Sequence, residues 1–185
     1  MADYYTLLAK EARKRNWNPD HINVFENWRN SVGQIESNNI PTRTQGDSPK
    51  GIGRGKYQYE TSKGSATNKT ATNRLKSFLK KNNFSIKDLP ESDRKVLSKG
   101  DPDFSLLSED TQDIIFLADK SEAPETKLND LVSGAISPDD AWIKWHWKGS
   151  KKEAEKKREQ WFRNLIDPEE EVVDLNTTGF ESTVE

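Results

Sequence analysis

The chain has no cysteine in its 185 residues, which excludes disulfide frameworks and thiolate metal sites. His21 and His146 are its only histidines; a histidine-rich metal centre is not expected, and the sequence calls for no cofactor. Apolar residues are scarce, with 31% hydrophobic against 32% charged, a polar balance for a globular chain. No apolar run approaches the roughly 20 residues of a membrane-spanning helix, so no membrane span is expected. The opening "MADYYTLLAKEARKR" has no apolar stretch ahead of a small-residue cleavage site and does not read as a secretory signal. Six Trp and seven Phe offset the shortage of aliphatic residues, because each large aromatic buries much area. The length suits one domain with a small core and a modest tail.

The net charge of −2 conceals an asymmetry. Residues 167–185 hold seven acids and no Lys or Arg, which leaves 24 acids against 29 bases in the remainder. A basic body suits an anionic partner, although solvated surface charge explains it equally well. The acidic tail has no hydrophobic periodicity and is expected to be flexible, or ordered only on a partner.

Periodicity predicts a mostly helical chain. Residues 3–15 read as a helix with Tyr4, Leu7 and Leu8 on one side. Asn18 is a predicted N-cap with Pro19 at the first helical position. The next helix carries Ile22, Phe25, Trp28, Val32 and Ile35 at helical spacing and stops near "SNNIP". Gly46, Gly51, Gly53 and Gly55 then predict a loop or hairpin, and "KYQYE" a short strand. Further helices are expected over 69–81, in "ESDRKVLSK", "SEDTQDIIFLADK", "ETKLNDLVSG" and "SPDDAWIKWHWKG", and in "SKKEAEKKREQWFRNLI", which buries Trp161, Phe162, Leu165 and Ile166.

Glu36 carries the most chemistry. It lies one turn beyond Val32, on the border of the apolar stripe, and at the helix C-terminus, where the dipole disfavours negative charge. Burial and dipole are both expected to raise a carboxyl pKa. An acid still protonated near neutral pH is what cleavage of a glycosidic bond requires. Glycines downstream let backbone approach a bulky substrate, and Tyr57, Gln58 and Tyr59 offer ring faces and an amide for sugar. Taken singly, a Glu at a helix end is a solvated charge and a Gly-rich stretch is a loop.

The order apolar helix, Glu36-Ser37, loop, Gly55-x-x-Gln58 resembles the lysozyme superfamily, most closely its soluble lytic transglycosylase and goose-type lysozyme branch. The "GRGKYQ" segment is also similar to one in plant-type chitinases of the same superfamily. The family's later Ala-Tyr-Asn-x-Gly segment has its nearest match in "WHWKG", where Gly149 is identical, His146 stands for Tyr and Trp147 for Asn. The resemblance spans about residues 20–150. It implies an α+β, mostly α-helical, lysozyme-like fold with a small β-hairpin beside the substrate cleft. Residues 1–16 would add an N-terminal helix, 17–166 would form the catalytic domain and 167–185 the tail. It implies Glu36 as catalytic acid/base, and Ser37, Gly55, Tyr57, Gln58, Tyr59, His146 and Trp147 as substrate-binding residues. Trp142 and Trp145 are expected in the core, and His146 reads equally well as a satisfied structural histidine. A hydrolase would add a second carboxylate, for which Asp47 and Glu60 are candidates, Asp47 reading equally as a turn residue. Lytic transglycosylases need one Glu.

The expected function is therefore cleavage of peptidoglycan glycan strands, by an enzyme carried in a bacteriophage virion or by an endolysin made in the host cytoplasm and delivered to the periplasm. The acidic tail would dock other virion proteins. Rival readings are a non-catalytic structural or wall-binding module with the same fold, and nucleic-acid binding through "RLKSFLKK" and "KKEAEKKR". The second of these segments alternates with Glu like an exposed helix face, and nucleic acid is not the expected partner.

Overall fold

The computed structural model describes residues 1–44, 53–62, 64–147, 152–153 and 155–156. It divides into two units, Met1–Gly149 and Ser150–Glu185. Of the second, residues 152–153 and 155–156 are helical. The apolar set from Trp161 to Ile166, the tail 167–185 and Asp47 lie outside the described residues.

Helix α1 (Tyr4–Lys14) starts at Asp3, whose carboxylate accepts from Thr6 N, and ends on Arg13 and Lys14, which suit the negative end of the dipole. Helix α2 (Pro19–Ser37) begins as its sequence predicts, with Asn18 accepting from His21 N and Pro19 in the first turn. It stops because Asn38 and Asn39 both adopt left-handed backbone, φ 55° and 57°, a conformation that Asn tolerates better than most residues. Its buried face runs through Phe25, Trp28, Arg29, Val32, Gly33 and Ser37, so the predicted stripe is displaced toward polar positions.

The sheet is minimal. Strands β1 (Gly53–Arg54) and β2 (Tyr59–Glu60) pair antiparallel, Gly53 opposite Glu60 and Arg54 opposite Tyr59. An isolated bridge from Thr44 to Arg54 extends the ladder. The expected strand "KYQYE" is thus mostly turn, because Lys56–Gln58 are taken up in reversing the chain. Helices α3 (Thr67–Lys81), α4 (Glu91–Leu97), α5 (Glu109–Glu122), α6 (Leu128–Val132) and α7 (Pro138–Trp142) follow, with 3₁₀ turns at Ile86–Asp88 and Phe104–Leu106. A π-helical turn, Ile143–Trp147, continues α7. Helix with a two-stranded antiparallel sheet makes the chain mostly helical α+β. Among the described residues no helix is long and apolar enough to cross a membrane.

Helix α5 is the axis of the core. Ten consecutive residues, Thr111 to Lys120, are buried. Phe116 stacks on Tyr57 of the hairpin with ring centroids 4.4 Å apart and meets Trp28 of α2 at 5.3 Å. Helices α1 and α3 pack against α5 as well; α1 belongs to the first unit, with Tyr4, Leu7, Leu8 and Ala12 buried. A helix buried all round carries its polar residues inward too, and each then needs a partner.

Asp119 is one such residue. It accepts from Arg74 Nη1 at 2.6 Å and Tyr59 Oη at 3.2 Å, and pairs with Lys120 Nζ at 2.8 Å. Burial opposes its charge, but Lys120 and Arg74 outweigh burial and hold the carboxyl at about 2. The folded value lies below the ordinary value near 4. The stability it contributes is therefore full above pH 4 and lost as pH falls toward 2. Urea unfolding of wild type and Asp119→Asn at pH 5 and pH 2.5 should show a wild-type advantage that shrinks by about 2 kcal/mol over that window. Equal pH slopes in the two proteins would contradict it.

Candidate active site

The site begins where α2 ends. Glu36 is half-buried in the last turn. Its Oε1 accepts the indole N–H of Trp142, from α7, at 3.1 Å. Trp142 is in the core as expected, at 2% exposure, yet it also touches the candidate acid, a contact that sequence spacing across 106 residues does not reveal. The Trp142 ring meets Trp147 with centroids 5.5 Å apart.

Ser37 faces inward. Its hydroxyl donates to Lys56 O at 2.8 Å, with Gly33 O of the same helix at 3.1 Å. The expectation that Ser37 binds substrate is corrected on that ground: it is buried, and its one proton holds the hairpin loop.

Gly55, Lys56, Tyr57 and Gln58 form that loop, closed by Gln58 N donating to Gly55 O at 3.2 Å. Gln58 bends its side chain back, Nε2 donating to Gly55 O at 2.7 Å and to Arg43 O at 3.3 Å. Its amide N–H therefore holds the turn rather than reaching outward. Gly55 has φ 76°, and a Cβ there would run into Gln112 Oε1 and stand 3.2 Å from the Phe104 carbonyl carbon. Gly55→Ala should cost about 2–4 kcal/mol, from left-handed strain and overpacking together. Urea denaturation measures this directly, and a loss within experimental error would show that the loop re-forms around the methyl.

The tyrosine rings are a second correction. Tyr57 and Tyr59 are 1% and 6% exposed, so neither offers a ring face to a sugar. Alternation along "KYQYE" puts both tyrosines on one face of the expected strand; that face lies on α5, where Phe116 and Asp113 meet Tyr57 and Asp119 meets Tyr59. Tyr57 Oη donates to Asp113 Oδ1 at 2.5 Å. Burial first, then the charge of Asp113 or Asp119, pushes both phenols well above their ordinary range.

His146 Nε2 lies 3.1 Å from Tyr57 O. A carbonyl only accepts, so Nε2 carries the proton. The "WHWKG" segment thus reaches the same loop as Ser37, through His146, while Trp147 sits against Trp142. Of the second-carboxylate candidates, Glu60 accepts from Ser65 N at 3.0 Å on the approach to α3.

Sequence reasoning missed the groups beneath the loop. Gln112, 2% exposed, accepts from Lys56 N at 2.7 Å and donates from Nε2 to Leu107 O at 3.0 Å and Pro41 O at 3.1 Å. Asp113 pairs with Arg29 Nη1 at 2.5 Å and Lys56 Nζ at 3.2 Å, and Lys56 Nζ reaches Glu109 at 2.8 Å. Arg29 in turn pairs with Glu26 at 3.2 Å, and Glu26 accepts from Tyr4 Oη. The available signal was polar residues on an otherwise apolar helix, "TQDIIFLADK".

The helix end that carries Glu36 is thereby tied to the Gly55–Gln58 loop through Ser37, and the loop to the π-helical turn through His146. Among the described residues no cluster of three or more His, Asp or Glu could hold a metal ion. No protein-family model matches the chain, and no curated protein or solved structure matches it either.

Proposed function

We propose that the protein cleaves the β-1,4 bond between N-acetylmuramic acid and N-acetylglucosamine in peptidoglycan, on a lysozyme-like fold, as a lytic transglycosylase acting for a phage particle. The observation that carries this reading is the position of Glu36. Its carboxylate, oriented by the Trp142 N–H, adjoins Ser37, which grips the Gly55–Gln58 loop. The acid gives its proton to the glycosidic oxygen as the C1–O bond breaks. The carboxylate then takes the proton of the muramyl 6-hydroxyl while O6 closes on C1, leaving a 1,6-anhydro end. The balance closes with one carboxyl group and no water.

Burial of the Tyr57 and Tyr59 rings favours a second reading, a non-catalytic module of the same fold, since it removes two sugar platforms. Mass spectrometry of digested peptidoglycan separates the readings. Anhydro-muropeptides are expected. Reducing-end products would make the protein a hydrolase, and absence of products from folded protein would favour the module.

A further inference from the structure

We infer that Gln112 is a positioning residue for Glu36, setting the spacing between the end of α2 that carries Glu36 and the Gly55–Gln58 loop; the inference rests on the reading of Glu36 as the acid. One buried carboxamide holds three separate segments. Its oxygen takes the Lys56 N–H, on the hairpin loop. Its nitrogen holds Pro41 O, on the chain that leaves Glu36, and Leu107 O, ahead of α5. Lys56 is also held at its carbonyl by Ser37, the neighbour of Glu36. The loop residue is thus gripped from α5 at its N–H and from α2 at its carbonyl.

The glycine of the loop follows from the same contact. Backbone at Gly55 lies so close to Gln112 Oε1 that no Cβ fits between them. Residues 55 and 112 are therefore one constraint, written at two distant points in the chain. Only a side chain with an acceptor and two donors on one planar group satisfies all three segments. Glutamate keeps the acceptor but turns a carboxylate oxygen toward two carbonyls. Methionine keeps the length and apolar bulk and makes none of the bonds.

The test compares wild type, Gln112→Glu and Gln112→Met on soluble glycan strands. Leu79→Ala serves as a control for lost stability alone. Leu79 is a core residue of α3, and α3 meets the far end of α5 through the Lys81–Glu122 ion pair. Displacing a reacting group by about 1 Å costs on the order of 100-fold. The expected result is a fall in kcat of about that size in both Gln112 variants, with KM held within about threefold, while Leu79→Ala keeps its kcat at a temperature where all are folded. If Gln112→Glu does not fold, Gln112→Met alone decides. A wild-type kcat in a folded Gln112 variant, or an equal loss in Leu79→Ala, overturns the positioning role and leaves Glu36 untouched. A folded wild type that releases no product overturns both.

Discussion

Glu36→Gln is expected to lower product formation by about 10²–10⁴-fold, the contribution of a positioned acid/base. The substitution suits the question because glutamine keeps an oxygen to accept the Trp142 N–H now held by Oε1. The amide cannot deliver a proton to a leaving oxygen or recover one from a 6-hydroxyl. The shape of the side chain is kept, and the melting temperature should stay within about 2 °C of wild type. Product release is read by mass spectrometry and folding by circular dichroism. A variant that keeps more than a tenth of the wild-type rate would mean that another group supplies the proton. Glu60, the described one of the two second-carboxylate candidates, would then be tested next.

The largest expected effect on stability comes from Asp113→Ala. The carboxylate sits between Arg29 at 2.5 Å and Lys56 at 3.2 Å, and accepts from Tyr57 Oη at 2.5 Å. The Arg29 and Lys56 side chains are 6% and 4% exposed. Removing the anion leaves two buried cations with less compensation, Arg29 with Glu26 and Lys56 with the half-exposed Glu109. Breaking a buried pair from one side costs about 3–5 kcal/mol, because the remaining charge stays desolvated. In a unit of 149 residues, each kcal/mol is worth about 2–4 °C, so the midpoint should fall by roughly 10 °C. Asp113→Asn, which keeps the shape but loses the charge, should lose nearly as much. A drop under about 1 kcal/mol in both would mean that water reaches the three charges, since exposed pairs contribute no more than that. Tyr57 hangs from the same carboxylate, so activity should fall along with stability.

Local rules account for much of the helical frame. Asn18 and Pro19 start α2 where capping chemistry says they should, and Ser137 caps α7 by accepting from Asp140 N. Leu75, Phe78 and Leu79 are buried on α3 as their spacing predicts. Those features depend on neighbours within four residues, which is the range that propensity and periodicity sense. The order of Glu36, Ser37, Gly55 and Gln58 is likewise visible in the chain, and with it the suspicion that they share a site.

Which face each of these residues turns, and to what, was decided only by the fold. The Tyr57 and Tyr59 rings go inward because α5 lies beneath the hairpin with Phe116, Asp113 and Asp119 waiting for them. Ser37 points to Lys56 O, and Trp142 returns from far along the chain to hold Glu36. Gln112 and Asp113 look out of place on an apolar helix until the loop and Arg29 are set against them. A sequence by itself determines where helices start and stop, because those choices rest on bonds between near neighbours. Long-range partnership is left to tertiary packing, since a buried polar group's free energy depends on which distant group meets it.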